Sequence, residues 1–443
     1  MKETRKHLLI TALLVPIATL HAGTDVWFTP LTQSAPVVAP NAFEELAQPW
    51  VTPDGIIQKN LVSMREVEDP VLSPGQSIIR VPGAASSATM FDMVSFDPSG
   101  SFLFIPHETP TGAGCSRYDI YNNHSEVIFA GDGKGAEGNW TADYGAFDPS
   151  RWTPNNTLLL AEEWSGRGRV VEITNPLAPA DQIQYRILDS IANVSHEGIN
   201  FSKAYNDVIY FIDEWNSGSI YKFVMTKAGD YTKGQTFVLS VDAFASSGGD
   251  ATKNWNAQAP GTIREGAATW IAITDVSGNP LPNVANPFFD GAVNSQVAGT
   301  GVGGRVAADN VGATPFGRPE DMVVSRTRSG REILYIAITS ENSVLAVEIT
   351  SNKRIDATRH GRAMVRTLVN NATPKNLGFP GTTAVLNSPD NLAIDALGNV
   401  YVIEDAPNGD ATGGDIWFIR DTNNDGRAES LDHFISVRAD GCE

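Results

Sequence analysis

The sequence predicts an all-β chain folded as a β-propeller, on three observations. Five stretches repeat one plan, in which an acid, a short apolar strand, a turn and a second apolar strand lead to a closing acid or acid pair. The chain is punctuated by 40 Gly and 26 Pro, as many short turns require. Its 9 Trp and 19 Phe suit short, aromatic-rich strands.

With 443 residues, 42 % of them hydrophobic and 19 % charged, the chain is long enough for a sizeable core and is not a disordered polyelectrolyte. The 51 acidic residues outnumber the 32 basic ones, giving a formal charge of −19. Such a balance opposes binding to nucleic acid or anionic lipid, so neither is expected as a partner, and it suits cations. Two cysteines cannot make a disulfide framework.

Residues 1–22 read as a signal peptide. Lys2, Arg5 and Lys6 precede an apolar run from Leu8 to Leu20, and Leu20-His21-Ala22 is an acceptable cleavage site. A periplasmic or secreted protein is expected. No later segment has the length of apolar sequence needed to span a bilayer. Residues 23–88, with Pro30, Pro36, Pro40, Pro49 and Pro53, read as an irregular arm laid over the domain, and 89–443 as the propeller.

The repeated stretches begin at Asp92, Asp143, Glu197, Glu320 and Asp390, so their starts fall 51, 54, 123 and 70 residues apart. The first two share Phe-Asp-Pro-Ser, at 96–99 and 147–150, which is read as the same hairpin turn in both. The long third gap, rich in insertions over 244–314, leaves room for a sixth, degenerate unit near Thr262 to Thr274, hence six blades.

In an antiparallel hairpin, leading and trailing acids lie at the same end. Asp92, Asp143, Glu197, Glu320 and Asp390 then ring the mouth of the central channel. Glu108, Glu163, Asp213, Glu214, Glu341, Glu404 and Asp405 are expected just outside. Clustered carboxylates must protonate or bind cations, and an all-oxygen donor set selects hard ions such as Ca²⁺, Mg²⁺, Mn²⁺ or Fe³⁺.

A second cation signal is the run from Asp421 to Asp432. Asp421, Asn423, Asp425, Glu429 and Asp432 stand at positions 1, 3, 5, 9 and 12 with Gly426 at position 6, which matches a calcium loop except for its final Asp. The alternative is a polar Asx turn between two strands. Beyond Leu431 to Val437, read as a strand, lies an acid-bearing segment at 439–443. That arrangement predicts an incomplete last blade and an open seam against the first.

Taken together, Thr153-Pro154 with Glu162-Glu163, His196-Glu197, Arg318-Pro319-Glu320 and Ser388-Pro389-Asp390-Asn391 resemble the PhoX-type alkaline phosphatases over roughly residues 88–443. The resemblance implies a six-bladed propeller with a metal cluster at its mouth that hydrolyses phosphate monoesters. Glu163, Glu197, Glu320 and Asp390 become metal ligands by that likeness, and Arg318 becomes the catalytic clamp on phosphate.

Calcium is the expected ion and iron the doubtful one, because the family's iron-binding cysteine is absent from 142–152, where Asp148 lies near its place. A small phosphorylated substrate and a monomer are expected. Two other readings stay open: a calcium-dependent lactonase or esterase propeller, and a non-catalytic propeller stapled by calcium.

Overall fold

In the computed structural model of the chain, the structure describes residues 26–36, 50–59, 61–62, 92–245, 255, 258, 262–288, 303–405 and 413–438. The expected leader at 1–22 and the acid-bearing segment at 439–443 lie outside them. The chain is an all-β propeller, and no helix among the described residues is long and apolar enough to cross a membrane.

Five antiparallel four-stranded units are seen among the described strands. Their inner strands are Ser95–Phe96, Phe147–Trp152, Val194–Phe201, Pro319–Arg326 and Pro389–Ile394. Among the described residues a sixth four-stranded unit is not seen. The place expected for it holds one strand, Gly266–Ala272, which joins the outer strand of the third unit to that of the fourth, pairing Leu239 with Trp270 and Ala268 with Ala363.

The second strands of the second, third and fourth units are buried on both faces, which explains runs such as Leu158-Leu159-Leu160-Ala161. Leu158 and Leu160 pack toward Phe104 of the first unit, whereas Leu159 and Ala161 pack toward Phe211 of the third. The same alternation divides Leu334 from Ile333 and Tyr335 in the fourth unit.

Contacts between neighbouring inner strands run all the way round. Ser95 Oγ lies 3.1 Å from Ser150 Oγ, Arg151 Nε donates to Ile199 O at 3.0 Å, and Asn200 Nδ2 donates to Met322 O at 2.7 Å. Leu392 N donates to Asp321 Oδ2 at 3.1 Å, and Asp92 hydrogen-bonds Asn391 to close the circle. Gly198 has a specific role: a Cβ there would lie 2.6 Å from Met322 N, too close for the third and fourth inner strands to meet.

The last unit has all four of its strands, contrary to the incomplete blade expected from the sequence. Its outer strand Ser430–Val437 is paired by Trp50 and Val51, so the edge is covered by the arm. Phe28 packs edge-on against Phe418 and tilted against Phe434 of the last unit, while Leu61 and Val62 pack on Leu103, Ile105 and Tyr118 of the first. The arm thus adds apolar side chains to both the last and the first unit.

Candidate metal centre

At one end of the channel, three groups of carboxylates can each bring ligand atoms within 4.8 Å of one another: Asp92, Asp148 and Glu197; Glu163, Glu197 and Glu214; Glu197, Glu320 and Asp390. Glu197 belongs to all three. The inner strands supply Asp148, Glu197, Glu320 and Asp390, the lead-in to the first of them supplies Asp92, a second strand supplies Glu163, and Glu214 directly follows the second strand Val208–Asp213. Glu108 joins by a hydrogen bond to Glu163, and Asp405 lies close enough to act on Asp92, Glu108, Glu320 and Asp390.

Asp143, expected in this ring, is elsewhere. Its carboxylate accepts the backbone N–H groups of Gly112 at 2.8 Å, Gly133 at 3.1 Å and Gly135 at 2.7 Å, and so organises a loop. The cause is the shared tetrapeptide. In the first unit Asp97 caps the hairpin turn, accepting from Ser99, Ser101 and Phe102, but in the second unit Phe147–Trp152 is the inner strand and the turn falls at 153–156. Asp148 therefore takes the place that the sequence assigned to Asp143.

Glu404 is likewise turned away, accepting from the backbone of Asn387 at 2.8 Å and of Asp415 at 2.9 Å and from Trp417 Nε1 at 2.8 Å. One rule covers the three acid pairs in or at the ends of the second strands. In Glu162-Glu163, Asp213-Glu214 and Glu404-Asp405 the second residue faces the cluster, and the first is buried with partners on the other side of the strand. Glu162 is held by Arg169 and Asp213 by Arg305. Glu341 accepts from Gly317 N at 2.8 Å and faces Arg264, outside the cluster.

The electrostatics follow from burial. Two carboxylates at about 5 Å repel by about 3 kcal/mol at an effective dielectric of about 20, and more than two meet here. Burial pushes Asp92 up to about 6, and burial with the neighbouring Asp92 pushes Glu108 up to about 7. Asp148, Glu163, Glu197, Glu320 and Asp390 are raised well above the ordinary range, by burial first and by neighbouring carboxylates second, Glu214 acting on Glu163 and Glu320 and Asp92 on Asp148. Asp92 Oδ1, Asp148 Oδ2 and Glu320 Oε2 are buried without a hydrogen-bond partner. Orphaned oxygens in an all-carboxylate set fit hard cations, which would satisfy lone pairs and offset the charge together.

Arg318 is the guanidinium that reaches this cluster. Its Nε lies 2.9 Å from Glu320 Oε1 and also contacts Glu214 Oε1, while about a third of its side chain, 36 %, stays exposed. Its backbone is left-handed, with φ of 63°, an uncommon conformation for arginine that is worth noticing at a site. Thr339 Oγ1 donates to Glu320 Oε1 at 2.6 Å and fixes that carboxylate. A partly exposed guanidinium is what an anionic substrate needs at an otherwise negative mouth.

The calcium-like loop at 421–432 folds as a hydrogen-bonded turn leading into the outer strand. Asp421 accepts from Asp425 N at 3.1 Å and Gly426 N at 2.9 Å, Glu429 accepts from Thr422 N at 2.7 Å, and Asp425 accepts from Arg427 N at 2.9 Å. Asp432 lies in the outer strand, bonded to Ser430 Oγ and Arg420 Nη2. Asn423 is exposed. Among the described residues, no group of three convergent carboxylates includes this loop. The Asp421 and Asp425 carboxylates carry the turn's hydrogen bonds, as in the Asx alternative, while Asp432 Oδ2 is buried without a partner.

The profile of the family described as "Alkaline phosphatase PhoX" matches residues 132–443. Among solved structures, the chain is similar to Pseudomonas fluorescens PhoX in complex with vanadate, a transition state analogue, at 15 % identity over 93 % of this chain and 89 % of that one, with a TM-score of 0.55. It is more distantly similar to the periplasmic gluconolactonase PpgL of Pseudomonas aeruginosa, at 11 % identity over 79 % and 86 % of the two chains, with a TM-score of 0.35. No protein of curated function matches the sequence.

Proposed function

The chain belongs to the PhoX alkaline phosphatase family, a metal-dependent class of phosphatases, and from that premise we propose that it hydrolyses phosphate monoesters at the carboxylate cluster, in the periplasm or outside the cell. The observation that carries this reading is the meeting of the three carboxylate groups at Glu197 with Arg318 held at their edge.

Asp92, Asp148, Glu163, Glu197, Glu214, Glu320 and Asp390 would hold the ions, calcium being the expected one. Bound there, hard cations supply Lewis-acid polarisation of phosphoryl oxygens and a water of lowered pKa. Arg318 binds the phosphoryl group and offsets the negative charge that grows on its oxygens during transfer. Glu214 and Glu320 orient the guanidinium from behind, and Thr339 keeps Glu320 in place. His107 and His196 are kept neutral by burial, each pushed down to about 3, so neither serves as the proton carrier near neutral pH.

The experiment is metal removal with a chelator, verified by elemental analysis, followed by assay on p-nitrophenyl phosphate and a lactone, before and after calcium is restored. Phosphomonoester turnover that disappears with the metal and returns with calcium supports the reading. Undiminished turnover in verified metal-free protein, or turnover of the lactone alone, overturns it.

A further inference from the structure

Asp213 immediately precedes Glu214 and is fully buried, pointing away from the carboxylate cluster. A guanidinium from outside the repeats meets it. Arg305, on the helix Gly303–Val311, donates Nε to Asp213 Oδ2 at 2.7 Å and Nη2 to Oδ1 at 2.5 Å, a two-point fork.

From there a line of direct contacts leads to the clamp. Asp213 Oδ1 accepts Ser195 N at 3.1 Å, Ser195 O accepts Glu214 N at 2.9 Å, and Ser195 Oγ donates to Glu214 Oε2 at 3.3 Å. The other oxygen of Glu214 accepts from Arg318 Nε.

The helix that carries Arg305 is fixed to the same strand. Gly304 N donates to Asn193 O at 2.7 Å, and Gly303 N donates to Asn286 O at 3.1 Å. A Cβ on Gly304 would lie 2.6 Å from Val194 Cγ1, so only glycine lets the helix start press onto the entry of the third inner strand. The Arg305 guanidinium also covers the Trp215 ring, at 4.6 Å from its centroid, which restricts its rotamers further.

We propose that Arg305 is a positioning residue for the phosphate clamp: it neutralises Asp213, so that Ser195 and Glu214 hold Arg318 toward the phosphoryl group. Arg305 itself touches no reacting atom. The inference rests on the phosphatase reading, and it assigns to an insertion between the third and fourth units a part in oxyanion recognition.

The test compares the metal-loaded full-length protein with Arg305→Gln and Arg305→Lys, measuring inorganic phosphate affinity by calorimetry, kcat and KM on p-nitrophenyl phosphate, metal per chain and thermal midpoint. Arg305→Gln is expected to keep its metal, to bind phosphate about tenfold more weakly and to raise KM in step, because a small misplacement of a positioning group is costly. Arg305→Lys keeps the charge without the fork and is expected to lie between; it carries the test should the Gln variant fail to fold.

A lowered thermal midpoint with wild-type phosphate affinity, KM and kcat would make the pair purely structural and overturn the inference. Wild-type protein that binds phosphate but hydrolyses no phosphomonoester would instead refute the phosphatase reading, and the phosphate affinities of the variants would still decide the role of Arg305.

Discussion

Asp92 and Asp148 share a hydrogen bond at the channel mouth, the first from the lead-in to the first inner strand and the second from within the next. Two buried carboxyls can do this only if one holds a proton or a cation takes its place. The bond therefore marks a position where cation binding and protonation compete.

Exchanging Asp148 for Asn is expected to remove ligand charge and lower metal content per chain, while the metal-free protein melts no lower than wild type because a buried repulsion is relieved. Asp143→Ala should do the reverse. It leaves three loop N–H groups without their acceptor, costing about 3 kcal/mol, with metal content retained. Elemental analysis and thermal melts of the two variants check the assignment.

The reason the sequence misplaced one acid is physical. Phe-Asp-Pro-Ser is compatible with a capped turn and with an inner strand, and only the neighbouring strand decides which, so local likeness could not set the frame. The ring of leading acids and the paired trailing acids were legible because side chains alternate along a strand. Which member of each pair faces the cluster was not, since it depends on where the bulges fall, as between His196 and Ile199 and between Pro319 and Met322. The arm was illegible for another reason: Trp50, Val51 and Phe28 acquire meaning only from a partner strand near the other end of the described chain.

The metal-free protein is expected to lose stability as pH rises. Asp92 goes from an ordinary 3.8 to about 6 on folding and Glu108 from 4.5 to about 7, so between about pH 4 and 7 the native state holds protons that the unfolded state has released. Stability therefore falls across that window and stays low above it. Melts of chelator-treated protein from pH 4.5 to 8 should show a declining midpoint, and calcium should remove most of the decline at the upper end. A flat profile would mean that these carboxyls are not protonated in the folded chain.

Arg318→Ala should retain the bound metal and lower kcat/KM by about a hundredfold, the order seen when one donor to a developing oxyanion is lost. Arg318→Lys should recover only part, because a point charge cannot serve two carboxylates and a phosphoryl group as a planar fork does. Metal loss equal to the catalytic loss would make Arg318 a structural counterion of Glu214 and Glu320.

Replacing Asp421 with Ala is expected to lower the thermal midpoint equally in calcium and in chelator. Its oxygens are occupied by the backbone N–H groups of Asp425 and Gly426, so the loss is of turn hydrogen bonds rather than of an ion. A larger drop in calcium than in chelator would restore the calcium-loop reading.

The junction between the last and first units should depend on the arm. Phe28 is buried against Phe418 and Phe434, with ring centroids at 5.6 and 4.7 Å, and Ala35 N donates to Ser436 Oγ at 2.7 Å further along the same arm. Truncating Phe28 to Ala removes a ring from that pocket, at a cost of about 3 kcal/mol. The loss is local to the outer part of the last unit, far along its strands from Pro389 and Asp390, so kcat at low temperature should be unchanged. What should change is resistance to opening at the seam: amide protons of Ser430–Val437 should exchange faster than those of Val208–Asp213 in the third unit, because the former strand depends on Trp50 and Val51 for its outer partner. An exposed strand edge recruits other edges, so the variant is also expected to aggregate below its melting temperature. Unchanged exchange in the last unit, with a uniformly lowered melting temperature, would show that the arm contributes bulk burial and does not seal the ring.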